Sequence, residues 1–211
     1  MVERTLYEVL MLHPSATIEV INAAYRALAK LCHPDHAGPD GSEKMAQAAG
    51  AGARRIPGVS VLVKPVDEVS KKDLDRAHGI MLGSPTYFAN IPGTMKTVID
   101  DWNWKLKVDF TDKVGGAFAT AGGRTGGQGH VVTSLLLFML NNRMVVAGPL
   151  YQNPQTGSIW GESGAVAVTG PVDAGVSDSE LDGAQQLGER VARLAVKMNT
   201  ATQATNFQRT P

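Results

Sequence analysis

The chain has 211 residues, with 20 Lys+Arg against 20 Asp+Glu, so its formal net charge is zero. That balance removes the general electrostatic case for nucleic acid or an anionic membrane surface as main partner, and 43% hydrophobic with 19% charged residues is the composition of a folded chain. One cysteine, Cys32, excludes an internal disulfide and a cysteine-based zinc site; no apolar run approaches the ~20 residues of a membrane span, and the acidic, interrupted start does not read as a secretion leader, so a cytoplasmic location is expected. In chain order, Leu6, Val9 and Leu10 make a short apolar helix. Thr17 can cap a second one, whose Ile18, Ile21, Tyr25, Leu28 and Cys32 share a face, while Asn22, Arg26 and Lys30 form a separate basic stripe. This helix must stop at His33-Pro34, because the residue before a proline is pushed out of the α region.

The residues Leu6-Tyr7-Glu8-Val9-Leu10, His13-Pro14-Ser15-Ala16-Thr17, Ala24-Tyr25-Arg26, Leu28-Ala29-Lys30 and His33-Pro34-Asp35 together resemble the J-domain of heat-shock co-chaperones. The resemblance implies that Arg26 and Lys30 make charge-steered contacts with a heat-shock ATPase chaperone and that His33, Pro34 and Asp35 form the signalling turn. Residues 1–41 are assigned to this helical module, 42–199 to a second domain and 200–211 to a flexible tail. The stretch where a third J-domain helix belongs, 42–53, offers one Met and otherwise only alanines and glycines to an inner face, and each absent large side chain forfeits about 1.5–3 kcal/mol of burial.

From residue 59 onward, short apolar runs alternate with helical periodicity. Runs at 59–63, 80–83, 114–120 and 144–147 are expected as strands, with 165–168 extending the last edge. The helical faces are Met95, Val98, Ile99 and Trp102; then Val132, Leu135, Leu136 and Met139; then Leu181, Ala184, Leu187, Val191, Leu194 and Met198. This alternation predicts an α/β fold with a parallel sheet covered on both faces, whose ligands bind at the carboxyl ends of the strands. Two loops lie there: Ser84-Pro85-Thr86-Tyr87-Phe88-Ala89-Asn90-Ile91-Pro92 and Thr120-Ala121-Gly122-Gly123-Arg124-Thr125-Gly126-Gly127-Gln128. The first offers hydroxyl, amide and aromatic groups; the second offers backbone N–H groups that a flat ring can approach where no Cβ intervenes. Neither holds a Ser/His/Asp or Cys/His set or paired carboxylates, which argues against acyl transfer and glycoside hydrolysis and for a cofactor with its own chemistry. His78 and His130 have no partner at metal-ligand spacing, and Trp102, Trp104 and Trp160 read as packing or subunit-contact residues.

The two loops, with Glu43-Lys44-Met45-Ala46, Lys113-Val114-Gly115 and Met144-Val145-Val146-Ala147-Gly148, resemble the flavodoxin-like NAD(P)H:quinone oxidoreductases, the family of the tryptophan-repressor-binding protein. The resemblance spans roughly 43–198 and implies a doubly wound flavodoxin-like sheet, FMN as cofactor, NAD(P)H as donor, a quinone as acceptor and a homo-oligomer. It places Pro85, Thr86, Tyr87, Phe88 and Asn90 along the flavin ring, and Thr120, Ala121, Gly122, Gly123, Arg124 and Gly127 at the ring edge and ribityl-phosphate side. Asn141 or Asn142 stands where the family often carries a histidine near the ring.

The family's first, central strand and its phosphate loop have no counterpart in this sequence; the J-like segment stands in their place. Only Gly41-Ser42 remains as a stub, where Ser42 either caps a helix or touches a phosphate, beside a repelling Asp40. Without that strand, the 59–63 and 80–83 runs are left with unpaired edges or forced together, and the loss of a phosphate clamp of ~1.4 kcal/mol weakens FMN about tenfold. Three readings stand side by side: an FMN-dependent reductase with an accessory module, a J-domain co-chaperone on a flavodoxin-like scaffold, and a recombined chain with neither activity.

Overall fold

The computed structural model describes residues 41–150, 163–170 and 175–208. The chain enters on α1 (Gly41–Arg54), with Glu43 in the first turn and Arg54 in the last, the charge order that suits a helix dipole. A 3-10 turn (Val66–Glu68) leads to α2 (Lys71–Arg76), opened by a capping box in which Ser70 and Asp73 satisfy each other's backbone N–H groups. There follow β1 (Gly79–Pro85), α3 (Gly93–Trp104), β2 (Val114–Ala121), α4 (Gln128–Asn141), β3 (Val145–Val146), β4 (Ala165–Val168) and α5 (Asp178–Gln208). The last helix continues past the boundary expected at residue 199.

The described strands pair in parallel. β1 lies along all but the last residue of β2, from Gly79↔Val114 to Pro85↔Thr120. The other edge of β2 is shared: β3 pairs with its first residues and β4 with its last four, so the two act as one interrupted strand. β2 is buried over all eight residues, as a strand covered on both faces must be. Its side chains alternate. Val114 and Phe118 face α1 and α5, whereas Ala117 and Ala119 face α3 and α4.

The two faces are packed differently. On one, Leu82, Met95, Ile99, Trp102, Phe110, Val131, Leu135 and Met139 interdigitate, with Trp102 and Phe110 tilted at 6.2 Å between ring centroids. On the other, backbones nearly touch. A Cβ on Gly52 would stand 1.9 Å from the Gln185 carbonyl oxygen, and one on Gly188 would stand 1.9 Å from that of Ala49. The alanine and glycine run that reads as a poor J-domain helix is thus what lets α1 lie against α5. Trp102 is core, as expected, but Trp104 is largely exposed; Trp160 lies outside the described residues.

The expected strand at 59–63 does not form. The segment belongs to no ladder; Val61 and Val63 lean on α1 at Gly50, while Leu62 is 61% exposed. It keeps the alternation of a strand but has no neighbour to bond among the described residues. The reason is visible on β1, whose even-numbered residues face β2: His78 accepts from Val114 N–H (2.9 Å) and Thr86 donates to the Thr120 carbonyl (2.8 Å). Gly79, Met81, Gly83 and Pro85 therefore turn their backbone groups outward, where no described strand meets them. Among the described residues, the forced pairing of the 59–63 and 80–83 runs is not seen.

Candidate functional site

The carboxyl ends of β1, β2 and β4 converge with the first turn of α1. Ser42 in that turn shares a 2.7 Å hydrogen bond with Thr120 near the end of β2. Beside it, Gly41 packs so closely on Thr169 that a Cβ would come within 2.4 Å of the threonine methyl. Thr169, just past β4, donates its backbone N–H to the Ala121 carbonyl (2.9 Å). The first turn of a 14-residue helix, the positive end of its dipole, is thereby fixed at the strand ends. Ser42 is the second residue of α1, inside the helix rather than at the cap position expected as one of its two roles.

The loop after β1 begins at Pro85 and turns sharply. Tyr87 and Asn90 exchange backbone hydrogen bonds of 2.9 and 3.0 Å across a turn whose corners are Phe88 (φ 49°) and Ala89 (φ 60°). Two successive left-handed corners favour Asn and Gly; non-glycine residues there cost about 1–2 kcal/mol each. Phe88 is fully exposed at the tip, and the Asn90 side chain accepts from Ile91 N–H (2.9 Å). Thr86 is the unusual member. Its backbone is held by Thr120, yet its hydroxyl is buried with no hydrogen-bond partner, a state that costs about 1–3 kcal/mol unless a ligand relieves it.

The loop after β2 is a second turn. Gly126 N–H bonds the Gly123 carbonyl (3.0 Å), with Arg124 and Thr125 at its corners, and Gln128 Nε2 braces the same carbonyl (3.0 Å). Gly123 has open space where a side chain would stand, and Gly122 backs onto the Gly170 carbonyl. Gly127 sits at φ 99°, and a Cβ on it would fall 2.6 Å from Ala89 Cα, so the two loops touch and face the same end of the sheet. A flat ring, a hydroxyl-seeking edge and an anionic tail all match this combination of bare glycine backbone, orphan hydroxyl and helix N-terminus.

The structure thus brings Ser42, Pro85, Thr86, Tyr87, Asn90, Thr120, Ala121, Gly122, Gly123 and Gly127 together, with Phe88 and Arg124 at the rim. Asn141 and Asn142 are not among them. α4 starts at the site and runs about 1.5 Å per residue away from it, and Asn142 caps its far end by bonding the Phe138 carbonyl (2.8 Å). Two residues of the site were not singled out from sequence: Gln128, at the start of α4, and Thr169, whose position after a small apolar run was the available signal. Arg26, Lys30, His33, Pro34 and Asp35 lie outside the described residues. Among the described residues no group of three His, Cys, Asp or Glu could hold a metal, and no helix is long and apolar enough to cross a membrane.

Comparison with known proteins agrees with this geometry. The chain is 31% identical to a flavodoxin of Aquifex aeolicus over 151 residues, 72% of this chain and 78% of the relative. It is 34% identical to an iron-sulfur flavoprotein of Methanocaldococcus jannaschii over 135 residues, 63% of this chain and 66% of the relative. Among solved structures, a flavodoxin, WrbA-like protein from Agrobacterium tumefaciens superposes with a TM-score of 0.56 at 22% identity, covering 74% of this chain and 90% of its own, which establishes the flavodoxin-like fold. Residues 12–155, well over half the chain and including most of the J-like segment, match the family described as NADPH-dependent FMN reductase. The chain belongs to the NADPH-dependent FMN reductase family.

Proposed function

We propose that this chain is an FMN-dependent NAD(P)H oxidoreductase that passes electrons to a quinone or similar small acceptor. The observation that carries the reading is the buried, unpartnered Thr86 hydroxyl where two touching loops meet. When bound there, FMN supplies two-electron chemistry between a nicotinamide donor and the acceptor. In this reading the Thr86 hydroxyl donates to a polar atom of the ring edge. Pro85, Tyr87 and Asn90 border the ring, while Ala121, Gly122, Gly123 and Gly127 let backbone N–H groups come close to it. The Ser42–Thr120 bond holds the first turn of α1 where its N–H groups face the phosphate.

Titration of purified protein with FMN, followed by flavin absorbance and fluorescence, tests this. Saturable binding that is lost about tenfold in Thr86→Val supports it; no binding at any flavin concentration sinks it. Flavin that stays stoichiometric through gel filtration would remove the expected weakening while leaving the function intact. The His33-Pro34-Asp35 sequence, after Asn22, Arg26 and Lys30 at four-residue spacing, motivates a second reading, an added co-chaperone role toward a heat-shock ATPase. Stimulated ATP hydrolysis, abolished by His33→Gln, is its expected sign; no stimulation by the full chain ends it.

A further inference from the structure

α1 spends only part of its circumference on the body of the fold. Met45, Ala49 and Gly52 turn inward, against the Val114 and Phe118 side of the sheet and the backbone of α5. The opposite stripe, Glu43, Gln47 and Ala51 at four-residue spacing, is exposed. With Lys44, Ala48 and Leu181 of α5 it forms an open groove of about 440 Å³, whose floor is apolar and whose edge carries both signs of charge. The connectivity of the chain points to an occupant. Residues 1–40, outside the described residues, join α1 at Gly41, which is pinned on Thr169 two positions before the groove begins. In that stretch Ile18, Ile21, Tyr25, Leu28 and Cys32 share one face at helical spacing, and such a face needs an apolar surface to lie on. Nine peptide links separate Cys32 from Gly41, a reach of at most about 30 Å. They include Pro34, Gly38 and Pro39, residues that suit a reversal of direction.

We propose that the groove between α1 and α5 is the docking site of this chain's own segment 17–32, which lies antiparallel to α1 with its apolar face on Ala48, Ala51 and Leu181. The lengths match, since a helix over 17–32 measures about 24 Å and α1 about 21 Å. The sizes are complementary too: a floor of alanines takes the large Ile18, Ile21, Tyr25 and Leu28, as small positions facing large ones do in packed layers. In this arrangement Cys32 falls beside Glu43 and Gln47, and Ile18 and Ile21 beside Ala51. α1 then serves two layers, closing the sheet with one side and receiving the segment on the other. The inference is independent of the flavin reading.

Cys32, the chain's single cysteine, reports the contact through its rate of labelling by dithionitrobenzoate in the full chain. Docking is expected to hold that rate about tenfold below its value in urea. Ala51→Glu, at an exposed helical position, seats a charge on the groove floor and should return most of the lost rate while circular dichroism stays unchanged. Mild oxidation gives a second reading. Gln47→Cys should form a disulfide with Cys32 inside one chain, whereas Thr133→Cys, exposed on α4 across the sheet, should not. Native Cys32 labelling as fast as in urea, protection untouched by Ala51→Glu, or equal oxidation of the two cysteine variants overturns the proposal. A disulfide found only between two chains also overturns it and gives the groove to a second copy.

Discussion

The two faces of the sheet solve the same burial problem in opposite ways. Toward α3 and α4 the core is built from large side chains, so its stability scales with apolar volume removed from water. Toward α1 and α5 it is built mostly from Ala and Gly, and contact is made by backbones that nearly touch at Gly52 and Gly188. The first kind tolerates loss of atoms at a graded cost; the second tolerates no gain. The difference also serves the site, because close approach of α1 to α5 sets the helix N-terminus beside Thr120 and Thr169.

The contrast can be broken by adding atoms to the tight face. Gly188→Leu must displace the Ala49 carbonyl and is expected to cost more than about 4 kcal/mol in urea unfolding, or to prevent folding. Removing atoms from the other face should cost less: Leu135→Ala, fully buried, about 3 kcal/mol by the same measurement. If Leu135→Ala proves the worse variant, the two faces do not differ as described.

A smaller effect sharpens the comparison on the tight face. The Glu180 carboxylate accepts from Val168 N–H (2.8 Å), Ser177 N–H (2.9 Å) and Ser177 Oγ (2.7 Å), tying β4 to the start of α5. Glu180→Gln turns one acceptor into a donor and should cost about 2 kcal/mol, read as a lower urea midpoint. Thr86→Val should run the other way, raising the stability of flavin-free protein by about 1 kcal/mol because a buried unpaired hydroxyl is removed. Unchanged or reduced stability would show that the hydroxyl already has a partner in solution.

The smallest effect lies outside both cores. Hydrogen bonds from Ser70, chiefly its hydroxyl, and from Lys64 hold the Asp73 carboxyl at about 2. A lowered carboxyl pKa stabilises the fold at pH values above its unfolded value near 4, and the contribution fades as pH falls from there through about 2. The urea midpoint of Asp73→Asn should accordingly change less between those pH values than that of the parent chain.

Much of this was legible in sequence wherever the signal was local. The spacing of Met95, Ile99 and Trp102, and of Val132, Leu135 and Met139, placed their buried faces because a helix repeats within itself. The two loops followed from their order after apolar runs, and the structure brings them into contact. What failed depended on distant partners. The run 59–63 has strand composition, but a ladder needs a neighbour that its own residues do not specify. The glycines of α1 looked like weakness because their reason, the carbonyl of Gln185, lies 133 positions from Gly52. Asn142 was misplaced because aligning it with a ring-side histidine ignored the length of α4. Thr169 escaped notice because it reaches the site only through the pairing of β4 with β2.

β1 carries a last consequence in the time domain. Its Ile80, Leu82 and Ser84 amides point into the ladder with β2, whereas those of Met81 and Gly83 point away from it. Amide hydrogen exchange along this one strand should therefore alternate residue by residue, slow where β2 locks the proton and faster at Met81 and Gly83, whose amides no described strand meets, so that a single segment reports two degrees of protection side by side.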